Sequence, residues 1–143
     1  MPHFTWTWIP AGADEALPNP HAYNRAVRVE NIHHLSGQVT FRGLGHANAG
    51  ARQFRLNQID KAFANIDAIL RAAGGKGWSQ AHKVRSYHVD QAQDSMVRNF
   101  TKWMPEHRPL WTCVQVGRLA GDGMKVDIEV EAYVPVGASE LNA

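Results

Sequence analysis

Residues 54–75 read FRLNQIDKAFANIDAILRAAGG. Within this stretch Phe54, Ile59, Ala62, Phe63, Ile66, Ile69, Leu70 and Ala73 recur at helical spacing, with Arg55, Asn57, Lys61, Asn65, Asp67 and Arg71 between them. The spacing predicts one long amphipathic helix, stopped by Gly74-Gly75. Its single apolar face suits a helix that covers one side of a sheet, so strands are expected on both sides of it along the chain.

Upstream, FTWTWI at Phe4–Ile9 alternates aromatic residues with threonine before Pro10 and predicts a strand. Pro18, Asn19, Pro20 and His21 form a loop. Tyr23–Val29 and Ile32–Val39 are strand-like runs joined by Glu30-Asn31, a two-residue hairpin connection in which Asn is the residue that tolerates positive φ. Residues 42–50 are glycine-rich and irregular. Gly43-x-Gly45 there lacks the third glycine of a dinucleotide fingerprint and the lysine of a P-loop.

Downstream, Ala81–Val89 reads as a strand with Val84, Ser86 and His88 on one face and Lys83, Arg85 and Tyr87 on the other. Asp94 or Ser95 is placed to cap a shorter helix carrying Met96, Val97, Phe100, Trp103 and Met104. Pro105 and Pro109 bound a loop. Leu110–Leu119 and Lys125–Val134 are the last strands, joined by Ala120-Gly121-Asp122-Gly123, and the tail from Pro135 is small and polar. The order strand, hairpin, helix, strand, helix, strand, strand predicts an α+β two-layer domain with both helices on one face of a mixed sheet. In the last strand Val126, Ile128 and Val130 point one way and Asp127, Glu129 and Glu131 the other. Acidic residues on the helix-free face fit a subunit interface, a ligand crevice or a solvated surface.

Composition narrows the function classes. The 143 residues make one domain with a single core, and 44% hydrophobic with 20% charged residues excludes a largely disordered chain. No apolar run approaches the ~18 residues of a spanning helix, and the N-terminus has neither a secretory nor a transit pattern. One cysteine, Cys113, excludes a disulfide framework and a CxxC zinc site, and fits a reducing cytoplasm. A net charge of +2 without a Lys/Arg cluster beyond Arg52/Arg55 gives no nucleic-acid footprint. Eight histidines show no HxxxH or HxH spacing, so no metal is expected.

Four segments in order, SGQ at Ser36-Gly37-Gln38, QIDKAFANIDAILRAAGGKGWSQAHKVRSYHVD at 58–90, RPLWTCVQVGRL at 108–119 and KVDIEVEAYV at 125–134, resemble the Rid family, also called YjgF/YER057c/UK114 and formerly L-PSP endoribonuclease. The resemblance runs from about Tyr23 to Val134. Residues 1–22 are an extra N-terminal strand and loop, and 135–143 a tail. It implies a chorismate-mutase-like fold with a six-stranded mixed sheet, a homotrimer, and three small-molecule clefts between subunits. It also implies hydrolysis of reactive enamines and imines to 2-oxo acids and ammonia, without a cofactor or metal.

Such chemistry needs a guanidinium to grip a carboxylate and a carboxylate to position water. By the resemblance, Pro109-Leu110-Trp111-Thr112-Cys113-Val114 falls on the family's Pro-x-Arg-x-Cys-Val, which puts Trp111 at the guanidinium position. An indole offers one N–H and an apolar face, not a charged fork. Asp127 falls on the family's water-positioning glutamate, Tyr23 on a tyrosine at the cleft mouth, Gly37 on a glycine lining the pocket, and Arg98 on a second-helix asparagine. By the same resemblance Cys113, on the family's Cys, is a candidate ligand-binding residue. Arg108, three residues before Trp111, and Arg98 are the candidates for a substitute clamp. The expected ligand is a carboxylate or an aromatic compound. Trp111 also suits packing at a subunit interface, Cys113 a small buried hydrophobe, and Arg108 a solvated position.

Overall fold

The computed structural model describes residues 4–7, 25–38 and 51–135, with side chains over 25–37 and 58–135. Among the described residues six strands form one sheet: β1 (Phe4–Thr7), β2 (Ala26–Val29), β3 (Ile32–Gln38), β4 (Ala81–His88), β5 (Leu110–Gln115) and β6 (Val126–Tyr133). Their order across the sheet is β1-β2-β3-β6-β4-β5. Every neighbouring pair is antiparallel except β4 and β5, which run parallel because α2 (Gln93–Trp103) crosses between them. α1 (Ala51–Ala72) packs on β3 and β6 and against α2. This is the two-layer α+β arrangement that the sequence predicts.

The helical stripe explains the core. Ile59, Ala62, Phe63, Ile66, Ile69 and Leu70 of α1 are buried against Leu35, Val84, Val126, Ile128, Val130 and Ala132 of the sheet. Phe54 of the expected stripe, and Arg55 between its apolar positions, lie outside the described side chains. α1 closes as Gly74-Gly75 predicts: Gly74 takes φ +94° and the Gly75 N–H donates to Leu70 O at 2.9 Å.

A short 3-10 turn at Gly77–Gln80, not foreseen from the sequence, then delivers Trp78 into the core. Its ring stacks on Phe63 at 4.6 Å and its indole N–H donates to Phe63 O at 2.8 Å. The loop before β6 is held by buried Gln58 of α1, whose amide donates to Gly123 O and accepts from the Lys125 N–H.

Several boundaries differ from expectation, each for a local reason. α2 starts at Gln93, so Asp94 lies inside its first turn and Ser95 is buried. The capping position is Ala92, with no side-chain cap. Asp94 still complements the positive helix end. β5 ends at Gln115, short of Leu119, because its partner β4 ends at His88 and leaves it nothing to pair with. Trp8 and Ile9, the rest of the expected first strand, lie outside the described residues.

In the β2–β3 hairpin the positive φ falls on Glu30 (+53°), not Asn31. Surrounding bonds hold that conformation: Arg28 Nε donates to Glu30 O at 2.8 Å, Arg28 Nη2 to Val134 O at 3.1 Å, and the Val134 N–H to Asn31 O at 2.7 Å.

Candidate functional site

Strand register decides which candidate residues share a face. On β4, Val84, Ser86 and His88 are buried under the helices, whereas Lys83 and Arg85 are exposed and Tyr87 half-buried. Across the ladder Trp111 pairs with Val84 and Cys113 with Ser86, so both stand on the helix side of edge strand β5. Asp127 pairs with Tyr87, and Glu129 with Arg85, so these carboxylates stand on the open face. Trp111 and Asp127 therefore occupy opposite faces of one sheet. A single chain does not bring them together.

The open-face half is built from Gly37 and Asp127. β3 carries a register shift between Leu35 and Gln38, and at this irregularity the Gly37 backbone meets the Asp127 carboxylate. A Cβ at Gly37 would lie 2.5 Å from Asp127 Cγ and Oδ2, and closer still to Oδ1. Only glycine admits the carboxylate here. Asp127 Oδ1 is buried with no hydrogen-bond partner among the described residues. Burial raises the Asp127 pKa from its ordinary value, and Glu129 adds to the rise, while a hydrogen bond with the Ile128 backbone opposes it. A carboxyl group with an unused oxygen and an elevated pKa is suited to accept a bond from water and to exchange a proton with it. Further along this face Glu131 lies between two imidazoles, His34 Nδ1 at 3.3 Å and His82 Nε2 at 3.7 Å.

The Asp127 environment predicts a pH effect. Because the folded protein holds the Asp127 proton more tightly than the unfolded chain does, stability falls as pH rises through the folded pKa. Asp127→Asn mimics the protonated form. Its melting temperature is expected to exceed that of the parent at pH 7 and to converge with it below about pH 3, where both states of the parent are protonated. Scanning calorimetry across that range checks this.

The helix-side half centres on Trp111. Its ring meets Phe100 of α2 edge-on at 5.1 Å, and its indole N–H donates to Ser86 Oγ at 2.8 Å. Indole nitrogen only donates, so Ser86 Oγ accepts there. The Ser86 hydroxyl is then free to donate to His88 Nε2, 2.7 Å away. That direction leaves Nε2 unprotonated, in keeping with a His88 pKa lowered by burial. Trp111 also borders an open groove of about 630 Å³ between α2 and the loop before β5, with Val97, Met104, His107 and Arg108 among its walls.

The remaining candidates divide between these surroundings. Arg108 is exposed at the groove rim. Cys113 is exposed on β5, on the Trp111 side. Arg98 of α2 is engaged elsewhere: its Nη2 donates to Asp60 Oδ1 of α1 at 2.7 Å, beside a bond from Asn99 Nδ2 to the same oxygen. Tyr23 lies outside the described residues. Ser86, His88 and Phe100 were not singled out as site residues from sequence. The signal for the first two was present in the alternation of AHKVRSYH, where a serine and a histidine share the face of Val84 opposite the charged residues.

No cluster of His, Cys, Asp and Glu among the described residues has the arrangement to hold a metal. Among the described residues, no helix is long and apolar enough to cross a membrane.

Comparison with known proteins agrees with this architecture. The family model described as Endoribonuclease L-PSP matches residues 14–134. Among curated proteins none matches the chain. A Pseudomonas aeruginosa protein of unknown function has a similar structure, with a TM-score of 0.78 and 22% identity over 95% of this chain and 96% of its own. RidA from an Antarctic Psychrobacter species is similar at TM-score 0.68 and 27% identity, over 88% of this chain and 99% of its own. A YjgF/YER057c/UK114 protein from Mycobacterium tuberculosis gives 0.68 and 24%, over 90% and 98%. Matched along most of its length and sharing the fold of solved members, the chain belongs to the Endoribonuclease L-PSP family, the YjgF/YER057c/UK114 or RidA group.

Proposed function

We propose that this protein is a homotrimer with small-molecule clefts between subunits. In each cleft Gly37 and Asp127 of one copy face Trp111, Cys113 and Arg108 of the next, and turnover of small 2-imino acids is weak. The opposite-face placement of Trp111 and Asp127 supports the shared cleft, because a second copy is the simplest way for the two halves to meet. The observation that carries the weak-turnover reading is the bond from Trp111 Nε1 to Ser86 Oγ. At the position where the resemblance expects a carboxylate-gripping guanidinium stands an indole whose only donor already has a partner.

The reaction open to such a cleft is addition of water to a C=N carbon, followed by loss of ammonia to leave a C=O group. The Asp127 carboxyl, with its unused buried oxygen, is the group that positions the water and shuttles its proton. Losing a bidentate guanidinium costs roughly 2–5 kcal/mol of substrate binding, or about 1.5 to 3.5 decades in affinity. With 2-aminoacrylate generated in situ, keto-acid release is expected to stay near the uncatalysed rate. A large acceleration would contradict the reading.

A specific observation favours Arg108 over Arg98 as a substitute clamp. Arg98 is held by Asp60, while Arg108 has no ion-pair partner among the described residues and borders the Trp111 groove. Residual hydrolysis that disappears in Arg108→Gln and survives in Arg98→Gln would assign it that role. Ribonuclease action draws no support here, since on the open face Lys83 and Arg85 stand beside the carboxylates Glu131 and Glu129, which oppose a phosphodiester chain.

A further inference from the structure

The groove beside Trp111 combines an apolar floor with a rim of both charges. Phe100 and Trp111 meet edge to face at its base, Met104 is buried beside them, and Val97 stands 48% exposed at the lip. With its N–H taken by Ser86, Trp111 shows the groove only carbon and π surface. At the rim, His107 Nε2 lies 2.7 Å from Ala81 O. A carbonyl only accepts, so His107 donates and ties the centre of the loop to the start of β4. Glu106 and Arg108 flank that tie, both exposed and both without an ion-pair partner among the described residues. A carboxylate and a guanidinium two residues apart, above an aromatic floor, complement a ligand with an anionic end, a cationic end and a ring. The groove's volume of about 630 Å³ has room for one such molecule.

We propose that this groove seats an aromatic 2-amino or 2-imino acid, with its ring against Phe100 and Trp111, its carboxylate on Arg108 and its nitrogen on Glu106. The assignment rests on the reading of Trp111 as the border of the ligand cleft, and names the side-chain class the cleft selects. Exchanging a small-acid clamp for an indole turns selection from the carboxylate alone to the carboxylate plus the ring.

Isothermal titration of the full chain with L-phenylalanine tests this without requiring turnover. L-Phenylalanine is expected to bind at least tenfold more tightly than L-alanine, which lacks the ring, and than 2-phenylethylamine, which lacks the carboxylate. Arg108→Gln should weaken L-phenylalanine and 3-phenylpropionate alike by at least tenfold. Glu106→Gln should weaken L-phenylalanine and leave 3-phenylpropionate unchanged. Both residues are exposed, so the variants keep the parent's melting temperature. Equal affinity for alanine and phenylalanine, no measurable binding of phenylalanine, or an unaffected Arg108→Gln protein would overturn the proposal. Phenylalanine binding together with rapid hydrolysis of small imines overturns the preceding reading and leaves this one standing. Absent phenylalanine binding with slow imine hydrolysis does the reverse.

Discussion

Replacing Trp111 with arginine is expected to raise the rate constant for 2-iminopropanoate hydrolysis by two to three decades. The direction follows from what the side chain offers a carboxylate. The native indole has a single donor, already bonded to Ser86 Oγ, and its ring packs edge-on against Phe100. A guanidinium has five donors in a planar fork, so it can keep the Ser86 bond and still grip a carboxylate with the rest. Leaving a buried carboxylate without such a bidentate partner costs roughly 2–5 kcal/mol, and the arginine removes that cost. The cost is the lost aromatic contact, and the variant is expected to melt a few degrees lower. Keto-acid release from an imine generated in situ gives the rate, and thermal melting gives the stability. A Trp111→Arg protein that folds and shows no gain would mean that position 111 does not face the substrate's carboxylate.

The second large effect is expected at Gly37→Ala. The added methyl would sit 2.5 Å from Asp127 Cγ and Oδ2 and nearer still to Oδ1, so either the β3 irregularity or the carboxylate must move. Overpacking of this kind costs about 1–3 kcal/mol, a melting shift of several degrees in a domain of this size. Function should suffer more than stability, because the displaced group is the one proposed to position water. In the Trp111→Arg background, Gly37→Ala is expected to erase the gained hydrolysis. Adding Asp127→Ala relieves the clash and should restore the melting temperature without restoring activity. If Gly37→Ala left both melting and hydrolysis unchanged, the contact between this backbone and the Asp127 carboxylate would have no role.

How much of this was readable beforehand depended on whether the information was local. The stripe from Ile59 to Leu70 identified α1 because every third or fourth residue faces the same core, and the Gly74-Gly75 stop was as legible. The alternation in β6 correctly separated Val126, Ile128 and Val130 from Asp127, Glu129 and Glu131. What alternation within one strand does not reveal is its phase relative to another strand. That Trp111 and Asp127 lie on opposite faces follows from the pairings of Trp111 with Val84 and of Asp127 with Tyr87, which are non-local.

The contact between Gly37 and Asp127 depends on the irregularity in β3, and Arg98 is tied by Asp60, 38 positions earlier. Both are tertiary facts. The hairpin gave the same lesson. Residue preference pointed to Asn31 for the positive φ, yet three hydrogen bonds from Arg28 and Val134 fix it at Glu30, so tertiary context outweighed propensity.

Behind these expectations is one proposal: the hydrolytic cleft forms where two copies meet, since each chain carries Asp127 and Trp111 on opposite sides of a sheet. Light scattering on the purified, full-length protein tests it directly. The account predicts a single species of three times the 15.9 kDa chain mass, persistent on dilution through the micromolar range. A stable 15.9 kDa monomer at those concentrations would contradict it, leaving Asp127 and Trp111 with no way to act on one ligand.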